Sequence, residues 1–82
     1  MKLERIQEAF KRYGVSRSTG YKMIEDGLFI KPIQIYRRAS AIPGNELDEL
    51  IKARISGLSE DEIRSVVSRL HAERQQMIGD SV

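Results

Sequence analysis

Residues 14–29 read GVSRSTGYKMIEDGLF. A glycine such as Gly14 can take the left-handed conformation that ends a helix. Ser16 can then cap the next helix by accepting from its free backbone N–H groups. A short helix over about Arg17–Asp26 is expected, with Met23, Ile24 and the following Leu28 as its apolar residues and Gly27 closing it. That helix carries Gly20 in its second turn, where glycine costs roughly 0.5–1 kcal/mol relative to alanine. What lies on either side decides whether this is half of a helix-turn-helix.

Upstream, Leu3, Ile6, Ala9, Phe10 and Tyr13 recur at helical spacing, with Lys2, Arg5, Glu8, Lys11 and Arg12 polar between them. The spacing predicts an amphipathic first helix that stops at Gly14. Downstream, Ile33, Ile35 and Tyr36 are strand formers, and Pro32 suits a strand start. Lys31–Ile42 is expected to form a two-stranded hairpin with Arg37 and Arg38 near its tip. Pro43 and Gly44 break the chain, and Asn45 is the expected cap of a helix bearing Leu47, Leu50, Ile51 and Ile55. Gly57 ends it. Ser59 and Glu62 then spell a capping box for a last helix carrying Ile63, Val66, Val67, Leu70 and Met77. Residues 79–82 are expected to fray.

Two short helices with a tight glycine-containing turn, followed by a basic hairpin, suggest a mainly α, winged helix-turn-helix. In that arrangement the second helix enters the DNA major groove by its N-terminal residues. Arg17, Ser18, Tyr21 and Lys22 occupy its polar face. Arginine can grip guanine through two parallel hydrogen bonds, and hydroxyl groups serve phosphates and base edges. Arginines at the hairpin tip suit the negative potential of a narrow minor groove. Ordinary alternatives stand beside these roles. Arg17 and Lys22 could be solvated, Tyr21 could pack against the hairpin, and Arg37 and Arg38 could be turn residues.

At 82 residues the chain is one domain's length, and a domain of that size buries only about 60–65% of its unfolded surface. It has no cysteine, so disulfides and thiolate metal sites are excluded. The net charge of +2 hides an asymmetry, because residues 1–44 carry +5 and residues 45–82 carry −3. Such an imbalance suggests that the first half faces a polyanion. No apolar run approaches the ~18 residues needed to span a bilayer, and the charged N-terminus lacks the apolar core of a signal peptide. A cytoplasmic protein with no membrane partner is the expectation. Ser16, Ser18 and Thr19 have no neighbouring histidine to activate them. Glu60, Asp61 and Glu62 are explained by the dipole of the helix they begin, and His71 reads as a surface histidine. No enzyme, cofactor or metal is expected.

The stretch YGVSRSTGYKMIEDGLFIKPIQI, residues 13–35, resembles the helix-turn-helix of AlpA-type phage regulators and excisionases, which are related to MerR-like winged helices. Gly14, Val15, Ser16, Arg17, Ser18, Thr19, Tyr21, Ile24, Gly27, Phe29, Pro32 and Ile35 hold matching positions. In RRASAIPGNELDELIKARI, residues 37–55, Arg38, Glu46, Leu47 and Leu50 stay in register. The resemblance covers about residues 3–55. It implies a bacterial, nucleoid-associated DNA-binding protein of a prophage or integrated element, acting as a recombination directionality factor beside an integrase or as a transcriptional regulator. It departs from the family at Gly20, where a bulky aliphatic is usual, at Ile30 in place of proline, and at Ile42 in place of tryptophan. Gly20 could make room for Phe10, loosen the helix for DNA, or be tolerated drift.

The expected organisation is therefore a winged helix-turn-helix over residues 1–56 and a C-terminal helical extension over residues 57–82. The expected DNA contacts are Ser16, Arg17, Ser18, Thr19, Tyr21, Lys22, Lys31, Arg37 and Arg38. The apolar stripe of the extension could pack back on the domain or form a homodimer contact. An alternative function is a protein-interaction module, an antitoxin or adaptor, that uses this stripe.

Overall fold

The computed structural model describes residues 2–80. Its elements are β1 (Leu3–Arg5), α1 (Ile6–Tyr13), α2 (Arg17–Glu25), β2 (Ile33–Tyr36), β3 (Ala39–Pro43), α3 (Gly44–Ile55) and α4 (Glu60–Asp80). The molecule is mainly helical with one small antiparallel sheet. No helix among the described residues is long and apolar enough to cross a membrane.

The sheet has three strands in the order β1-β3-β2, not the two expected. Leu3–Arg5 pair with β3, Leu3 opposite Pro43 and Arg5 opposite Ala41. The first helix therefore starts at Ile6, and Leu3 is half-exposed on an edge strand rather than on a helical face. Helical spacing alone could not reveal this, because a three-residue strand is too short to show its own period. The Arg37–Arg38 turn joins β2 to β3, with Tyr36 opposite Ala39. Among the described residues only glycines have positive φ, so this two-residue turn lacks the primed geometry that matches strand twist. A register shift between Gln34 and Tyr36 accompanies it, and such bulges add local twist.

The α1–α2 connection is as expected. Gly14 has φ 86° and donates to Phe10 and Lys11 carbonyls, while the Ser16 hydroxyl accepts from the Thr19 N–H at 3.3 Å. Helix α2 ends at Glu25, one residue short of the expected boundary. The cap of α3 differs. Pro43 occupies the N-cap position, so Asn45 lies inside the first turn. Helix α3 buries Leu47 and Leu50, half-buries Ile51, and leaves Ile55 81% exposed. The capping box of α4 forms as expected. Glu62 accepts from the Ser59 N–H at 3.0 Å, and the Ser59 hydroxyl accepts from the Glu62 N–H at 3.2 Å. These bonds hold the Glu62 carboxyl below its ordinary pKa.

One core joins the helices to the sheet: Ile6, Ala9 and Phe10 from α1, Leu28, Phe29 and Ile30 from the segment after α2, Ile42 from β3, Leu47 and Leu50 from α3, and Ile63 and Val67 from α4, with Met23 and Ile24 of α2 packed against it. Phe29 meets Phe10 at 5.3 Å and Tyr13 at 5.2 Å between ring centroids. Ile30 and Ile42, two departures from the family pattern, are fully buried here. The stripe of α4 packs back, since Ile63, Val67 and Leu70 are buried, while Met77 is half-exposed. Helix α4 extends to Asp80, and residues 81 and 82 of the stretch expected to fray lie outside those described.

Polar bonds from α4 fasten the segment between α2 and β2. Arg64 donates to the Asp26 carbonyl at 3.0 Å. The Lys31 N–H donates to His71 Nε2 at 3.0 Å, and Arg74 donates to the Lys31 carbonyl at 3.0 Å. Arg74 also binds the buried Glu46 of α3 through contacts of 2.5–3.1 Å. His71 is thus a half-buried acceptor, not the surface histidine expected. Burial, with Arg74 and then Lys31 nearby, lowers its pKa, and Glu46 opposes that shift.

Candidate nucleic-acid interface

The exposed side of α2 follows from its period. Gly20 turns inward, and Met23 and Ile24 are half-buried, which leaves Arg17, Ser18, Thr19, Tyr21 and Lys22 exposed. Ser16 is exposed too, but its hydroxyl is engaged as the cap and lies 3.5 Å from the Ser18 hydroxyl. The aromatic partner of Tyr21 is on α1 rather than on the hairpin. The Tyr21 ring stands edge-on to Phe10 of α1 at 5.3 Å and 79°. The Arg17 guanidinium sits 5.8 Å from the Tyr21 ring centroid. An inner aromatic contact and an outer cationic one thus position a tyrosine that remains 41% exposed.

A groove of about 320 Å³ runs beside Tyr21. Its walls are Arg17 and Tyr21 from α2, Arg38 and Ser40 from the hairpin, and Arg5 with residues 6–8 from the β1–α1 junction. Arg17, Tyr21 and Arg38 are thereby brought together. Arg37 lies at the turn itself, its guanidinium 5.2 Å from the Tyr36 ring centroid and its carbonyl accepting from the Gln34 side chain. Lys31 is exposed at the hairpin's base, where α4 grips its backbone, and does not line the groove.

Arg5, Gln7 and Ser40 are groove residues that the sequence reading missed. Arg5 passed for one polar position of a first helix. No local signal reveals that β1 carries it to α2 and the hairpin.

Some cations have carboxylate partners and others do not, Lys2, Lys52 and Arg54 being unpaired with any described carboxylate outside the site. Arg12 pairs with Glu4 at 3.1 Å and Asp48 at 2.7 Å. Arg69 pairs with Glu49 at 2.7 Å and Glu73 at 3.2 Å, and Arg64 and Arg74 also have carboxylate partners. Hydrogen bonds to Asp48 and Glu49 raise the pKa of Arg12 and Arg69 respectively. In contrast, Arg5, Arg17, Lys22, Lys31, Arg37 and Arg38 make no ion pair with any described residue. Their charge is available to an outside anion. No group of three or more metal-ligating side chains occurs among the described residues.

A second, more apolar groove lies between the end of α1, α2 and α3, lined by Tyr13, Val15, Met23, Ile51 and Ile55 together with Arg12 and Arg54. Comparison with known protein families, curated proteins and solved structures finds no match for this chain.

Proposed function

We propose that this chain is a winged helix-turn-helix DNA-binding protein, with α2 entering the major groove and the hairpin following the backbone or minor groove. The observation that carries the reading is the division of cations. Those on α2 and the hairpin have no carboxylate partner, whereas the arginines of α4 do. Phosphates would supply the missing counter-charge. Arg17, Ser18, Thr19, Tyr21 and Lys22 are the base-reading and phosphate-binding set on α2. Ser16 serves mainly as the cap that fixes that helix, and Lys31, Arg37 and Arg38 act on the backbone.

The resemblance to AlpA-type regulators and excisionases supports a site-specific role in a mobile element, either in excision with an integrase or in transcription. Measuring excised circles with integrase expression held constant separates these. A recombination directionality factor changes the yield of circles, and a regulator does not. The reading as DNA-binding fails if a hydroxyl-radical footprint finds no protected segment on any duplex the protein retains.

The competing protein-interaction reading no longer rests on the α4 stripe, whose Ile63, Val67 and Leu70 are buried. Exposed Ile55 beside Met23 and Ile51 offers a different apolar surface for it. Salt dependence discriminates between the two, because binding through an apolar face varies little with ionic strength.

A further inference from the structure

The groove beside Tyr21 gathers three guanidinium groups from three separate places in the fold: Arg5 at the end of β1, Arg17 at the start of α2, and Arg38 in the hairpin turn. None has an ion-pair partner among the described residues. Glu8 is the groove's one carboxylate, and Lys11 lies 3.5 Å from it. Three exposed guanidinium groups without carboxylate partners raise the local positive potential, which attracts an anion from outside. Gln7 and Ser40 add neutral hydrogen-bonding groups to the same walls.

We propose that this groove seats the phosphodiester backbone of one DNA strand, and that Arg5 is a phosphate-binding residue of the protein. This inference rests on the DNA-binding reading and extends it to a residue outside α2 and the hairpin. The sheet does the positioning. Pairing of Arg5 with Ala41 ties β1 to the strand that bears Ser40 and follows Arg38. A guanidinium on β1 thus keeps a fixed relation to the hairpin that α2 faces across the groove. Planar guanidinium groups suit phosphate oxygens because they donate two parallel hydrogen bonds. A strand held there by Arg5 and Arg38 would fix the register of α2, and so of Arg17, in the adjacent major groove without itself contributing sequence preference.

The test compares the full chain with Arg5→Gln, Arg5→Lys and Lys52→Gln for binding to a random-sequence duplex across a salt series. Lys52 is an exposed cation of α3 outside the groove, so its variant controls for net charge. Arg5 makes no side-chain hydrogen bond within the described residues, so unchanged thermal melting is expected for its variants. The account expects Arg5→Gln to bind about tenfold more weakly at low salt. It expects the slope of log K against log salt to become shallower by about 0.9. Arg5→Lys should keep the wild-type slope, and Lys52→Gln should match the wild type.

Wild-type binding that Arg5→Gln leaves unchanged would overturn the seat while leaving the DNA reading intact. Equal losses in Arg5→Gln and Lys52→Gln would also overturn it, because a diffuse field rather than a groove would then be acting. No wild-type binding to any duplex would remove both. A parallel titration with inorganic tripolyphosphate alone identifies the source of the anion. Binding of that ion, sensitive to Arg5→Gln, without duplex binding would assign the groove to a free polyphosphate and overturn the proposal for DNA.

Discussion

Phe10 of α1 and Gly20 of α2 occupy one space. A β-carbon built at position 20 would lie 2.6 Å from Phe10 Cδ1 and 2.7 Å from its Cζ, closer than real side chains approach. Phe10 is itself fixed by Phe29 behind it and Tyr21 beside it. Its ring cannot withdraw without disturbing the core and the exposed face of α2. Of the three accounts of Gly20, steric compensation is the one this contact supports. The ring fills the volume that a bulky residue on α2 would otherwise occupy.

Gly20→Ala should therefore destabilise the protein, although alanine favours helix by about 1 kcal/mol. Overpacking in a close-fitted core costs about 1–3 kcal/mol. Pairing it with Phe10→Leu should recover part of the loss, giving a non-additive cycle in thermal melting. A melting temperature that rises in Gly20→Ala alone, or strict additivity, would contradict the contact.

Arg17 and Arg38 should differ in what they contribute to DNA binding. Replacing Arg17 with alanine should cost about 1–3 kcal/mol on the preferred sequence and relax that preference. Replacing Arg38 should weaken specific and random duplexes alike. Equal losses on both kinds of DNA for both variants would refute this division.

Breaking the Glu46–Arg74 pair should unfold the protein more easily. Glu46 is buried, and Arg74→Ala would leave its carboxylate without its partner while releasing the Lys31 carbonyl. A loss of about 3 kcal/mol is expected in denaturant unfolding. The double variant Glu46→Leu, Arg74→Met should lie closer to the wild type than Arg74→Ala does, because it buries no unpaired charge.

Stability should fall on mild acidification, and His71 is the cause. Its folded-state pKa lies below the ordinary 6.5, mainly through burial. Between those two values the unfolded chain binds more protons than the native one, so stability rises with pH there. Stability is accordingly lost as pH falls below about 6.5 and levels off once the folded group also titrates. His71→Gln should flatten this part of the melting-temperature profile. An unchanged profile would contradict the role assigned to the Lys31–His71 bond.

The elements legible in the sequence were those with strong local chemistry. Gly14, Ser16, Gly27, Ser59 and Glu62 act as the punctuation they spell, and the turn at Arg37–Arg38 falls where the strand formers stop. The misread elements depend on partners far along the chain. Leu3–Arg5 fit a helical stripe, yet they pair with β3 some forty residues later. Ile55 continues an apolar face that no neighbour covers. The candidate site divides in the same way. Its α2 and hairpin members lie close in sequence within characteristic motifs, whereas Arg5 joins them only through the sheet. His71 was misjudged for a related reason, since its partner Lys31 sits forty positions upstream.

The most direct measurement is equilibrium binding of the purified chain to tiled duplex fragments from its own genetic neighbourhood, at two salt concentrations. The account predicts sharp preference for one fragment. It also predicts a log–log salt slope near −4.5, as expected for about five neutralised phosphates. No binding to any fragment at either salt would contradict the account, as would binding indifferent to salt.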